Sequence, residues 1–151
     1  MKISTTRFGE IEITTEDIYG FPDGILGFPE VKQYVILDNS NGGPFRWLQA
    51  LDVPSLAFVV IDPLLFHPDY KVEVKKEDIA SIEIGDVEDG FVLVILTVPG
   101  ENPADITANL LGPLIFNSRK MLAKQIVLTG SNYETKHRVF KERSTDKKLN
   151  S

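Results

Sequence analysis

The sequence predicts a mainly β protein: a small single-domain antiparallel β-barrel-like fold with at most short helical turns. Three observations carry that expectation. The chain of 151 residues is long enough for one hydrophobic core and too short for two. Short apolar or alternating runs recur along it, broken by Gly, Pro, Asn and Asp. No segment holds a helical pattern over the roughly 12 residues that make an isolated helix stable. Short strands at regular spacing fit a barrel or a sandwich, and the barrel is preferred because closure removes exposed edges.

In residues 7–14, Phe8, Ile11 and Ile13 are separated by Glu10 and Glu12, the period-two pattern of a half-buried strand with its glutamates outward. Residues 31–38, 45–51 and 55–62 are strands by their β-branched and aromatic content, and Pro63 ends the last. Residues 81–85 alternate again and 91–99 are almost wholly apolar. Between them Asp86-Val87-Glu88-Asp89-Gly90 carries the Asp-Gly signal of a tight hairpin. Residues 106–111, 114–117 and 125–128 complete the strand set, while 76–80 and 118–124 each read as one helical turn. Apolar residues thin after Tyr133, which divides the chain into a barrel-like domain, 1–133, and a basic, flexible tail, 134–151.

Composition narrows the function classes. Hydrophobic residues at 42% and charged residues at 25% match a self-folding globular domain. No apolar run approaches a bilayer span, and the first residues lack a secretory pattern, so a cytoplasmic protein is expected. With no cysteine there is no disulfide framework and no thiolate nucleophile. Residues 134–151 carry six Lys/Arg against three Asp/Glu, a net of +3, whereas residues 1–133 carry ten against nineteen, a net of −9. Such a body repels nucleic acid and attracts basic proteins.

The chemical inventory is poor. His67 and His137 are the only histidines, and a metal set drawn from His67, Asp62 and Asp69 is interrupted by Pro63 and Pro68. There is no nucleophile elbow, phosphate loop or dinucleotide fingerprint. The expectation is a protein that is not an enzyme and needs no metal or cofactor. A sugar- or small-molecule-binding barrel, with Phe58 and Trp47 turned into a cavity, is the alternative. A hydrolase would need two carboxylates brought close together.

Three segments stand out. In residues 18–30, turn formers alternate with large apolar side chains around Pro22-Asp23-Gly24. Residues 45–50 and 57–63 form a strand pair holding Trp47, the only tryptophan, read as core. Residues 107–117, followed by 125–128, place Asn109 and Asn117 beside apolar pieces, where they can satisfy backbone groups at strand bends.

In order and spacing these segments resemble the FliW family. The matching positions are Phe21-Pro22-Asp23-Gly24-Ile25, Gly27-Phe28, Phe45, Trp47-Leu48-Gln49, Ala57-Phe58, Asp62-Pro63, Thr107, Asn109-Leu110, Pro113, Asn117, Gln125, Leu128 and Tyr133. The chain departs from the pattern at Leu111-Gly112 and in the spacing from Tyr133 to Arg138. The resemblance implies a compact β-barrel-like protein without enzymatic activity that binds the translational repressor CsrA and binds flagellin, and a monomer is expected when it is free. Flagellin would then withdraw it from CsrA, which silences flagellin translation. For the basic repressor the expected contacts are Asp86, Glu88 and Asp89, projected by a hairpin turn, then Glu10 and Glu12 on a strand face. For flagellin, whose polymerising ends are apolar, the expected contacts are Phe21 and Ile25, with Phe28 as core.

Overall fold

The alternation in residues 7–14 is used in an N-terminal hairpin. In the computed structural model, which describes residues 1–140, Lys2–Thr5 (β1) pairs antiparallel with Gly9–Glu12 (β2). Ile3, Ile11 and Ile13 pack from this hairpin onto Val35, while Glu10 and Glu12 remain exposed. Glu12 meets the N-terminal ammonium at 3.0 Å, and Glu10 lies 4.0 Å from Lys2. These are exposed pairs that add little stability in water.

Nine strands follow: Ile18–Gly20 (β3), Gln33–Asp38 (β4), Arg46–Ala50 (β5), Ala57–Ile61 (β6), Phe91–Thr97 (β7), Thr107–Ala108 (β8), Leu114–Asn117 (β9), Leu122–Gln125 (β10) and His137–Arg138 (β11). Seven of them close into a barrel in the order β3-β4-β5-β6-β7-β9-β10. All pairs are antiparallel except β3 with β10, which meet in parallel at Gly20 and Leu122. One edge of β7 pairs with β6 through Val94–Leu96; its other edge carries β8 and β9 end to end. Among the described residues, helix is confined to one turn of α-helix, Lys76–Ile79 (α1), and short 3-10 turns.

Strand alternation fills the barrel. Tyr19, Phe21, Ile25, Tyr34, Leu48, Val60, Leu93, Leu114 and Phe116 meet inside. Phe116 anchors an aromatic cluster with Tyr19 at 5.0 Å, Phe91 at 4.8 Å and Phe21 at 5.8 Å between ring centroids. The opposite face of β7, with Val94 and Leu96, is also covered, by Ile79, Ile82, Ile84, Ile126, Leu128 and Val139 from an outer layer. Burial on both faces explains why β7 is apolar nearly throughout.

Tyr34 is fully buried, and its hydroxyl has no hydrogen-bond partner among the described residues. Burial pushes its pKa from 10.0 up to about 12. Because the folded value lies above the unfolded one, this stability is complete below pH 10 and drains away as the pH rises through about 12. Tyr34→Phe is expected to raise stability by about 1 kcal/mol near neutral pH and to flatten the alkaline decline. Urea midpoints on both sides of pH 10 test this; a variant less stable than the parent at neutral pH overturns it.

Several sequence expectations change. Residues 81–85 are not a strand and 86–90 do not turn a hairpin: Ala80–Ile82 is a 3-10 turn, and Glu83 adopts a left-handed conformation at φ 64°. That reversal buries Ile82 and Ile84 in the outer layer, so a turn imitates the period of a strand. The last barrel strand is Leu122–Gln125, three residues before the expected one, and it replaces the helical turn read at 118–124. Residues 134–140, read as tail, continue the fold: His137–Arg138 pairs with Thr107–Ala108, and Val139 is buried. Residues 141–151 lie outside the described residues. Trp47 is not core. It sits half-buried on the outer face of β5 with the Phe8 ring against it at 5.8 Å and the Arg7 guanidinium at 4.1 Å. It therefore does not share a cavity with the inward Phe58.

Candidate functional site: an acidic groove on the barrel wall

β6 stops at Ile61, because Asp62 and Pro63 leave the sheet. The Asp62 carboxylate accepts the Leu64 N–H at 3.0 Å, capping the 3-10 turn Pro63–Leu65. Farther along the chain, the Asp86 carboxylate accepts the Glu88 N–H at 2.9 Å and caps a second 3-10 turn, Val87–Asp89, which delivers the chain into β7. Between these turns, residues 70–73 and the start of β7 lies an open groove of about 800 Å³. Carboxylates of Asp62, Glu73, Asp86 and Glu88 line it, with Arg46 and Lys71 as the bases. None of the six belongs to an ion pair among the described residues, where the pairs are Met1–Glu12, Lys2–Glu10, Lys120–Glu83 and Lys124–Asp23. The groove therefore presents a net negative surface to solvent.

Gly90 shapes its floor. A Cβ there would run into the Phe116 carbonyl oxygen, which the β7–β9 ladder holds in place. Gly90→Ala is expected to cost about 2 kcal/mol or more, since the obstacle is backbone and cannot rotate away. An unchanged denaturation midpoint would contradict the close approach.

Of the residues singled out in the sequence, the structure brings Asp86 and Glu88 into the groove and leaves Asp89 exposed beside them. Glu10 and Glu12 do not line it; their charges are engaged within the β1–β2 hairpin. Phe21 and Ile25 are corrected: at 0% and 2% exposure they fill the barrel interior and offer no contact surface. The loop exposes Leu26 and Phe28 instead, at 67% and 40%. Ile25 and Phe28 bridge each other, and Gln125 accepts the Leu26 N–H at 2.8 Å, fixing this tip against β10. Gly24, at φ 68° and with Pro29 pressed against the place of a Cβ, allows the tight return.

Sequence reasoning missed Glu73, Lys71 and Arg46, and weighed Asp62 as a metal ligand and a family-matching position but not as a partner contact. A signal was present in Lys71-Val72-Glu73-Val74-Lys75, a strict alternation that was not read as an extended segment. The asparagines behave as expected. Asn117 donates to the Ile82 carbonyl at 2.7 Å and accepts from Arg119 N–H, and Asn109 accepts from Gly112 N–H. His67 lies among the rings of Tyr70, Tyr133 and His137. The described residues contain no group of three or more side chains able to hold a metal, and no helix long and apolar enough to cross a membrane.

Fold and groove together define a small closed β-barrel with a packed interior and an acidic groove on its outer wall. The model of the FliW protein family matches residues 2–139. A flagellar assembly factor FliW from Natranaerobius thermophilus is 41% identical over 145 residues, 96% of both chains. One from Geobacter sulfurreducens is 43% identical over 147 residues, 97% of this chain and 91% of the relative. A crystal structure of the flagellar assembly factor FliW superposes with a TM-score of 0.87 at 41% identity, covering 95% of this chain and 99% of that one. The chain belongs to the FliW family.

Proposed function

We propose that the protein is a flagellar assembly factor that acts in the cytoplasm by binding rather than by catalysis. It holds the basic translational repressor CsrA through its acidic surface and releases it when flagellin binds, so that flagellin level controls flagellin translation. The observation that carries the reading is the match along residues 2–139 to a family whose curated members bear that name. Charge agrees with it: residues 1–133 have a net charge of −9, and an RNA-binding repressor must be basic to meet phosphates. Direct binding tests it, with purified CsrA and flagellin titrated separately and together into the full chain. Saturable binding of each, with flagellin displacing CsrA, is the expected result. No binding of either at low salt overturns the proposal, and simultaneous binding without displacement overturns the regulatory half of it.

A further inference from the structure

The barrel wall lacks a strand at one place. β6 accompanies β7 only along Val94–Leu96, because Asp62 caps a turn and Pro63 has no N–H to continue a ladder. The edge of Phe91–Leu93 on the β6 side thus opens onto the groove, with no paired strand among the described residues. The groove's other wall is formed by Lys71, Val72 and Glu73, and from there through Lys75 exposed Lys71, Glu73 and Lys75 alternate with half-buried Val72 and Val74, the burial period of a strand. The N–H and C=O groups of Val72, Glu73 and Val74 have no hydrogen-bond partner among the described residues. Backbone groups left open in this way are a template for an incoming strand.

We propose that the groove is a strand-addition site that takes an extended, lysine- or arginine-rich segment of a partner protein. Charge decides the occupant: Asp62, Glu73, Asp86 and Glu88 outnumber Arg46 and Lys71, and none is neutralised by an ion pair among the described residues. An added strand turns every second side chain the same way, so a segment alternating basic and apolar residues sets its cations on the rim carboxylates. Its apolar residues then face Val72 and Val92. The inference rests on the reading of the protein as a binder of basic partners and adds how and where one is held.

The probe is a short acetylated peptide in which Lys alternates with Val, titrated by fluorescence anisotropy into the full chain. Three comparisons accompany it: the same peptide N-methylated at alternate residues, Glu73→Ala, and Glu73→Pro. N-methylation is expected to weaken binding by about tenfold or more, because it removes ladder donors and keeps every charge. Glu73→Pro removes an unpartnered N–H and so breaks no existing hydrogen bond; with a denaturation midpoint matching that of Glu73→Ala, it is expected to weaken binding well beyond Glu73→Ala. Equal affinity for the methylated and unmethylated peptides on the wild-type chain overturns strand addition. Failure of both peptides while CsrA still binds overturns the slot and leaves the functional reading standing. A dimer of the free chain that Glu73→Pro dissociates would make a second copy the occupant, and overturns the proposal as well.

Discussion

Phe21→Ala lowers stability by about 3–5 kcal/mol, whereas Phe28→Ala in the same loop costs about 1 kcal/mol. The difference follows from where the loop sends each ring. Phe21 is wholly buried, 5.1 Å from Tyr34 and 5.8 Å from Phe116 between centroids, and its loss opens a cavity lined by aromatic groups that have little room to collapse. Phe28 is 40% exposed and touches one ring, Phe58, at 5.6 Å. Leu26 beside it is more exposed still, so the loop tip is an apolar surface suited to an amphipathic partner such as a flagellin end. If flagellin uses it, Phe28→Ala and Leu26→Ala each reduce flagellin affinity by about tenfold while the protein stays folded. Denaturant stability and flagellin affinity measured on all three variants decide the matter. A stable Phe28→Ala protein with unchanged flagellin binding removes the loop from the contact.

That assignment reverses the sequence-based one, and the reason is physical. Composition marked residues 18–30 as a loop that must either pack down or offer its apolar side chains, but a pattern of turn formers does not say which ring points inward. Phe21 follows directly on β3 and inherits its alternation with Tyr19, which also points inward. Where both faces of a strand are buried the sequence was plain to read, as at Leu114–Asn117, whose bounds were expected residue for residue. β4, β5 and β6 fell inside the ranges expected from their β-branched and aromatic content. Errors arose where a turn or an outer-layer segment imitates strand periodicity. Ile126 and Leu128 are apolar because they cover β7 from outside, and the strand before them begins after Met121, left-handed at φ 55°. The groove was half legible. Asp86 and Glu88 stood out as projecting charges, but their neighbours Asp62 and Glu73 come from distant segments that only closure of the barrel brings together.

Removing the negative charge at the groove's edge gives the second large effect. Asp86 both projects charge and caps its turn, so Asp86→Lys would mix loss of charge with loss of the cap; Asp86→Asn retains an acceptor for the Glu88 N–H. Combined with Glu88→Lys and Asp89→Lys, both exposed, it should leave the fold intact. The triple variant is expected to associate with CsrA about tenfold more slowly than the parent at low salt, with a smaller change in dissociation. As ionic strength rises past the point where the screening length falls below about 10 Å, the two proteins should converge. Glu10→Lys with Glu12→Lys supplies the comparison. Those carboxylates are already met by Lys2 and the N-terminal ammonium, so reversing them should slow association less for the same class of change. Stopped-flow association at several salt concentrations separates the cases. Equal slowing by both variants would mean that net charge alone steers the partner, and an unslowed triple variant would mean that the groove edge takes no part in the encounter.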